Sequence, residues 1–492
     1  MSTFHGLEMA RQALSTQQSA LYTTGHNIAN ANTEGYTRQR VNFETSSPFP
    51  SASRNRPQIP GQMGTGVESG SVQRIRNQFL DNQFRSENST SGYWSTKSEA
   101  LSRMENILNE PSDTGLSTTI DQFWQSLQDL AVNPENSGAR SVVLQRGQAL
   151  AETFNYMSES MTNIRTDLQT QIDTTVKDAN TLIDGINELN KQVKNLETHG
   201  YAANDLYDRR DMLIDQLSEI VSIEVSYDNS HSPSKRVDGV ATINIVNDIG
   251  TAISELVNGV EGTKQRIDDP VYGTAESLLV VEAITVNGEN MMTSSGSLKG
   301  LIDAYGYADG ENAFGDYPEM IRNLDKMGYA VATAFNEQHA NDEGEVPFFK
   351  IDNPTNSGGA AGSISVALTE GSQIIASSNG DAGNGENALA LAEVFYNSNN
   401  DDLDGVSIKD FYESVIGDLG VTAEHANRMT ENTGTLLAQV ENQRLSVSAV
   451  SLDEEMSNMI KFQHAYSAAA RSMTAMDELL DKVINNMGLV GR

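Results

Sequence analysis

The chain has 492 residues, with 33 Lys or Arg against 67 Asp or Glu and a formal net charge of -34, which excludes DNA, RNA and anionic membranes as principal partners. It has no cysteine, which excludes disulfides, thiolate metal sites and cysteine nucleophiles. Its first residues, MSTFHGLEMARQALSTQQ, lack the parts of a secretory signal, and no apolar run approaches membrane-spanning length.

The charge is unevenly placed. Residues 1–90 carry eight Arg, no Lys and six acids (net +2), and residues 441–492 carry five bases and seven acids (net -2), leaving 54 acids and 20 bases in 91–440. Near-neutral ends can pack on copies of themselves, and the charged middle stays in water.

In chain order, Leu7, Leu14, Leu21 and Ile28 stand seven apart, a helix with one face for a partner. It is too short and polar to be stable alone. It exits through HNIANANTEGYTRQRV, residues 26–41. Asn27, Asn30 and Asn32 compete with helix by bonding their own backbone. Gly35, before Tyr36, supplies a positive-φ position, and 37–41 alternates as extended chain. The stretch reads as a helix exit, a turn and an arm over 36–78, not as a catalytic loop or ligand cradle. Thr118–Ala131 is an amphipathic helix. Ser137 to Glu197 holds no proline and repeats apolar residues at threes and fours from Leu150 to Leu196, predicting roughly 60 residues of helix, about 90 Å long, with a stop at His199-Gly200. Helix returns over Asn204–Ile220, Ser297–Tyr305 and Pro318–Ala340, then from about Ala388. Strands are expected at Val221–Tyr227, around Ile243–Ile245, over 277–286 and within the loop-rich 341–387. Finally Leu445, Leu452, Met459, Tyr466, Met473, Leu480 and Met487 form a seven-residue column, with a mixed second column at Met456, Gln463, Ala470, Asp477 and Ile484. A strict heptad is a coiled-coil seam, and the simplest solution is that the two ends pair.

The expected fold is mainly α with an inserted β-rich domain. Residues 1–35 and 451–492 form a coiled-coil-like terminal pair. Residues 36–220, 296–340 and 386–450 form a long-helix bundle body, and 221–295 with 341–385 form a β-rich domain.

No chemistry assembles along the chain. The seven histidines, at 5, 26, 199, 231, 339, 425 and 464, make no metal spacing and no H-E-x-x-H. NNDDLDGVSIKDF resembles a calcium loop, yet Asn400 stands at its first position and Phe411 where the bidentate Glu belongs. GQMGTG at 61–66 lacks the Lys-Ser/Thr of a phosphate loop. DLYDRRDMLIDQL at 205–217 reads as a solvated ion-pair face. No catalytic residue, metal or cofactor is expected.

NIANANTEGYTRQRV resembles the signature of bacterial flagellar axial proteins. GQMGTGVESGSVQRIRNQFLDNQFR at 61–85, FWQSLQDLAVNPENSGARSVVLQRGQALAETFN at 123–155, NDLYDRRDMLIDQLSEIVSI at 204–223, GSLKGLIDAYG at 296–306, FNEQHA at 335–340 and SLDEEMSNMIKFQHAYSAAARSMTAMDELLDKVIN at 451–485 are similar to one branch, the hook-filament junction (FlgK) family. The match covers both ends and most of the helical body and is weak over about 228–295 and 341–385. It implies a structural subunit exported unfolded by the flagellar type III system and placed outside the cell. Its implied partners are copies of itself, the hook protein, the second hook-associated junction protein and an export chaperone on the C-terminal helix. Nucleic acid and membrane are not among them. The terminal columns would line an inner tube, the β domain would face outward, and Arg38, Arg40, Arg74 and Arg76, with Arg54 and Arg56, are candidate contacts to adjacent subunits. The alternatives are another axial component, such as the second junction protein or a flagellin-like subunit, and an enzyme carried on a flagellar scaffold.

Overall fold

The computed structural model describes residues 4–486 apart from 51–53, 55–60, 109–114, 235, 340–345, 380, 382, 398–400 and 404. The chain opens with helix α1 (Phe4–Ala29), followed by strands β1 (Gln39–Thr45) and β2 (Val67–Arg74). These strands pair antiparallel, with an irregularity between Asn42 and Phe43, and make the arm a hairpin. Helices α2 (Gln78–Leu108), α3 (Leu116–Val132), α4 (Ser137–Thr198) and α5 (Asn204–Ile220) follow. The α2 helix has no counterpart in the sequence reading. Its run of Ser, Thr and Asn with Gly92 has weak helix propensity, and it is held by packing on α5, α6 and α10.

The spine is α4, 62 residues or about 90 Å long. Asn136 caps it by accepting from Gly138 N (2.8 Å) and Ala139 N (3.3 Å), and His199 is its C-cap. Leu150, Phe154, Met161, Leu168, Ile172, Val176, Ile183 and Ile186 are buried along one stripe, as the spacing predicts. Ile164 is only partly buried and Leu196 is exposed.

Strands β3 (Ile223–Asp228), β4 (Val240–Val246), β5 (Ala252–Asn258) and β6 (Thr263–Lys264) form an antiparallel sheet in that order. Strands β7 (Val271–Ala275) and β8 (Leu278–Ala283) precede the small pair β9 (Thr285–Val286) and β10 (Glu289–Asn290). After α6 (Ser297–Tyr305), strands β11 (Tyr307–Asp309) and β12 (Asn312–Phe314) complete a second sheet, ordered β12-β11-β8-β7. Two asparagines of α4 stitch the spine to this region. Asn190 donates to Ala241 O (2.8 Å) and accepts from its N (3.0 Å), and Asn180 does the same for Ile267 (2.8 and 2.9 Å). A side-chain amide paired with one residue's N–H and C=O satisfies both, as a neighbouring strand would.

The chain then runs through α7 (Asp316–His339), β13 (Phe349–Lys350), α8 (Ala360–Ser363), β14 (Ser365–Val366), α9 (Glu386–Glu393), α10 (Ile408–Ser448) and α11 (Leu452–Asn486). Strands β13 and β14 pair with each other. Phe123 of α3, Phe335 of α7, Phe348, Phe349 and Phe395 are all buried, with ring centroids 4.8–6.2 Å apart in their contacts. Ser407 caps α10 by accepting from Asp410 N (3.1 Å), and Phe411 lies inside that helix. Asn400 and Asp404 of the calcium-loop resemblance lie outside the described residues.

The main hydrophobic core is one cluster, with buried members from Ala100 to Ala426 and including residues of both sheets. None of its buried members comes from α1, the hairpin or α11. That split separates a packed body from a thin terminal unit.

Candidate assembly site at the joined ends

The two ends of the chain pair: α1 packs on α11. At Gly6 the approach is so close that an added Cβ would lie 3.0 Å from Met476 Cε and Sδ. Leu7, Leu14, Leu21 and Ile28 are half-buried, while the fully buried positions of α1 are Ala10, Thr16, Ala20, Thr24 and Asn27. The hairpin also lies on α1. Thr16 Oγ1 donates to Val67 O (3.2 Å), Ser46 Oγ to Gln12 Oε1 (3.2 Å), and Phe43 meets Phe462 of α11 edge to face at 5.9 Å. Small residues let both neighbours approach the α1 backbone.

The α11 seam differs from the sequence reading in two respects. Met459 and Met473 are half-buried and Leu480 is buried, but Leu452 is 48% and Tyr466 38% exposed, and Met487 lies outside the described residues. The second column is not 456, 463, 470, 477 and 484. Of its members Ala470 is half-buried, but Gln463 and Asp477 are exposed and Met456 and Ile484 are 53% and 69% exposed, whereas Glu455, Phe462, Ala469 and Met476 are all buried or half-buried. Both sets keep alternate steps of three and four around the 459 column, and the chosen one carries Phe462 and Met476 where the other carries Gln463 and Asp477. Nor is the column from Leu445 onward one helix: α10 ends at Ser448, capped by Ala449, and α11 starts at Leu452. Ser451-Leu-Asp-Glu454 has capping-box spacing, and Asp453, Glu454 and Glu455 fill the first turn, where acids suit the helix dipole.

Between unit and body lies the joint. Asn27, 1% exposed, does not bond its own turn as the sequence reading supposes. Its Nδ2 donates to Gln39 O (2.8 Å), and its Oδ1 accepts from Gln39 N (3.0 Å) and Tyr36 OH (2.8 Å). It clamps the arm twelve residues on. Burial, then Asp208 and Asp205, push the Tyr36 hydroxyl well above the usual tyrosine range, so it stays a donor. Asn30 does bond locally, Nδ2 to His26 O (3.0 Å), and Asn32 is exposed. Gly35 turns at φ 75°. Replacing Asn27 by Ala strips two backbone groups of a buried partner, about 2 kcal/mol. Amide exchange at Gln39 is expected to quicken roughly 30-fold, with the melting of the body unchanged.

Of the arginines proposed as subunit contacts, Arg38, Arg74 and Arg76 are paired within the chain, and Arg56 lies outside the described residues. The Arg38 side chain reaches Glu454 (2.6 and 2.9 Å) and buried Glu455 (2.8 Å), and its N donates to Ser448 O (2.9 Å). It fastens the α10–α11 elbow and holds the Glu454 carboxyl below its usual range. Arg74 bridges Asp208 (2.7 Å), Asp211 (3.0 Å) and Asp238 (2.5 Å). Arg76 bridges Asp81 (2.7 Å) and Asp211 (3.1 Å), and Arg85 reaches Asp215 (2.9 Å). Their side chains are too deeply committed to serve a neighbour. Arg40 is exposed. The face read as solvated on 205–217 is therefore buried: Asp208, Asp211 and Arg210 are 7%, 1% and 0% exposed. Burial alone would raise the Asp211 carboxyl, but Arg76, Arg74, Arg210 and Arg85 hold it well below the carboxylate range. At Asp208 burial wins over Arg74 and raises the carboxyl. The signal was present: Asp208, Asp211 and Asp215 fall at i, i+3 and i+7, one helix face, opposite an arginine-rich arm. Among the described residues no group of three or more His, Cys, Asp or Glu is arranged to hold a metal ion, and no helix is long and apolar enough to cross a membrane.

These parts recur in known proteins. Residues 101–344 match the family described as the flagellar hook-associated protein FlgK helical domain, residues 7–37 the flagella basal body rod protein, and residues 441–487 the C-terminal part of the flagellar basal body rod FlgEFG proteins. Flagellar hook-associated protein 1 of Bacillus subtilis (strain 168) is 46% identical over 508 aligned positions, covering all of both chains. The Escherichia coli (strain K12) protein of that name is 25% identical over 573 positions, covering 97% of this chain and 98% of that one. The flagellar hook junction protein FlgK from Burkholderia pseudomallei shares the fold, with a TM-score of 0.59 at 14% identity over 75% of this chain and 100% of that one. With rod-protein segments at both ends, the helical domain between them and full-length identity of this degree, the chain belongs to the flagellar hook-associated protein 1 (FlgK) family.

Proposed function

We propose that this chain is the structural subunit that joins hook to filament: it adds to the tip of the finished hook and lets the filament assemble on it. The observation that carries this reading is the full-length likeness to a hook-associated protein 1. The division into a packed body and a coreless terminal unit supports it. A thin pair of helices that recovers little buried area cannot offset its ordering entropy alone, so α1 and α11 fold fully only against copies of themselves, lining an inner tube. The hook protein lies below this zone and the second hook-associated protein above it. A chain without cysteine suits export unfolded through the flagellar type III channel to the cell exterior. Before export a cytosolic chaperone covers the apolar positions of α11, of which Met456, Ile460, Leu479 and Ile484 are more than half exposed.

A deletion strain tests the reading. It is expected to carry hooks without filaments and to shed flagellin into the medium; intact filaments on that strain would overturn it. A narrower expectation concerns the seam. Met473→Asp places a charge between α1 and α11, far from the body core. It abolishes filaments while leaving the thermal transition of the purified protein within about 1 °C, since substitutions away from a core stay within about 0.5 kcal/mol.

A further inference from the structure

The elbow between α10 and α11 carries a helix start without a helix stop. Ser451 and the acids at 453–455 open α11, with Ser451 Oγ accepting from Glu454 N at 3.5 Å, a weak cap. Residues 435–487 hold no glycine and no proline, the usual devices that end a helix. Leu445, Leu452 and Met459 keep their spacing of seven across the break. Nothing in the local sequence forbids one helix through 449–451, yet Ala449 is extended, at φ -72° and ψ 155°.

The stop comes from the arm. In an unbroken helix the Ser448 carbonyl would accept from the Leu452 amide. Here the Arg38 N–H occupies it (2.9 Å), while Arg38 O accepts from Ile75 N at the end of the hairpin (2.8 Å). The Arg38 guanidinium then fixes the first turn of α11 through Glu454 and Glu455. On one side of it, Thr37 N donates to Asp208 Oδ2 of α5 (3.1 Å), and on the other Gln39 is held by Asn27 of α1. Three consecutive residues at the base of the arm thus gather α1, α5, α10 and α11.

We propose that the base of the arm is a latch: when it docks, Arg38 supplies the stop that α10 lacks and turns α11 onto α1. With the arm undocked, α10 runs on through 449–451, and α11 leaves along its axis, away from its partner. The latch presupposes the reading of the chain as a self-assembling junction subunit, whose terminal unit it makes competent to add. Because the same three residues hold both terminal helices, arm docking and end pairing are one two-state event.

Proline tests the latch because it restores a stop without restoring a charge. Ala449 already has the extended backbone that a residue before proline adopts, and among the described residues the Val450 N–H takes no backbone hydrogen bond. Arg38→Ala is expected to cut the number of filament-bearing cells about ten-fold, the equivalent of one charge-assisted hydrogen bond. Val450→Pro alone is expected to leave that number unchanged, and the combination to recover most of it. Arg38→Ala without effect, loss of filaments from Val450→Pro alone, or a combination no better than Arg38→Ala overturns the latch. A second measurement needs no assembly. A Cβ at Gly6 would lie 3.5 Å from Met476 Cγ, so Gly6→Cys with Met476→Cys brings two thiols within disulfide reach in a chain that has no other. In the dilute, purified full-length protein this disulfide is expected to close about ten-fold more slowly when Arg38→Ala is added, and near the original rate when Val450→Pro joins it. Equal rates with and without Arg38→Ala overturn the latch. Filaments on a deletion strain would sink the junction reading and leave these rates to decide the latch; hooks without filaments there, with no rescue and equal rates, sink only the latch.

Discussion

Replacing Asp211 by Asn is expected to destabilise the body by about 3–5 kcal/mol, the cost of removing one partner from a buried ion pair. Asp211 is 1% exposed and lies 3.0 Å from Arg74 and 3.1 Å from Arg76. Tyr227 OH also donates to it at 3.2 Å. With the carboxylate gone, two guanidinium groups keep their desolvation cost and lose their shared counter-charge. Asp208, Asp238 and Asp81 cannot make up the difference, being already engaged with the same arginines. The melting temperature is expected to fall by roughly 3–6 °C, followed by far-UV circular dichroism. Asp121→Asn is the control. It removes an exposed partner of Lys409 (2.8 Å) and is expected to cost under about 1 kcal/mol. Equal melting of the two variants would show that the cluster does not hold the arm to the body.

Phe335→Ala comes second, at about 3–5 kcal/mol. Its ring stands 5.3 Å from Phe123, 4.9 Å from Phe348, 5.4 Å from Phe349 and 6.2 Å from Phe395. Truncation therefore leaves a cavity where α3, α7, β13 and the segment after α9 converge. The cluster anchors β13, a strand of two residues with one two-residue partner, which has little else to fix it. Phe335→Leu keeps most of the volume and is expected to lose less than half as much. Thermal melts rank the pair, and amide exchange at Phe349 and Lys350 shows whether β13 loosens first.

The long elements were legible because their apolar spacing is regular. The limits of α5 and α6 match the sequence reading, and the ends of α3, α4 and α7 fall within two residues of it. Elements without a pattern of their own were not. The α2 helix is polar and is made by its neighbours, and strands β5, β6 and β7 are too short or irregular to alternate. At the joint, the reading found the turn but not its wiring. Asn27 looks like any helix-ending asparagine until the arm is laid beside it. Arg74 and Arg76 look like surface charge until α5 turns Asp208 and Asp211 toward them. Long-range pairing between residues 130 apart in the chain leaves no local periodicity, only a surplus of arginine at one place and acid at another. The α11 seam was ambiguous by one residue, and only the weight of Phe462 and Met476 against Gln463 and Asp477 decided it.

The 62-residue spine has a mechanical consequence. One uninterrupted helix meets α3 near its start, the second sheet through Arg165 and Asp173 near its middle, and the first sheet through Asn190 toward its end. With no loop along that length to act as a compliant element, twist or shear delivered at one end reaches the other as rigid-body motion. Compliance is left to the non-helical links at 30–38 and 449–451, where the unit meets the body. Deformation would thus concentrate in a few backbone bonds and in the polar ties across them, the Arg38 clamp on α11 and the Asn27 clamp on the arm, while the packed body rides as a stiff bead.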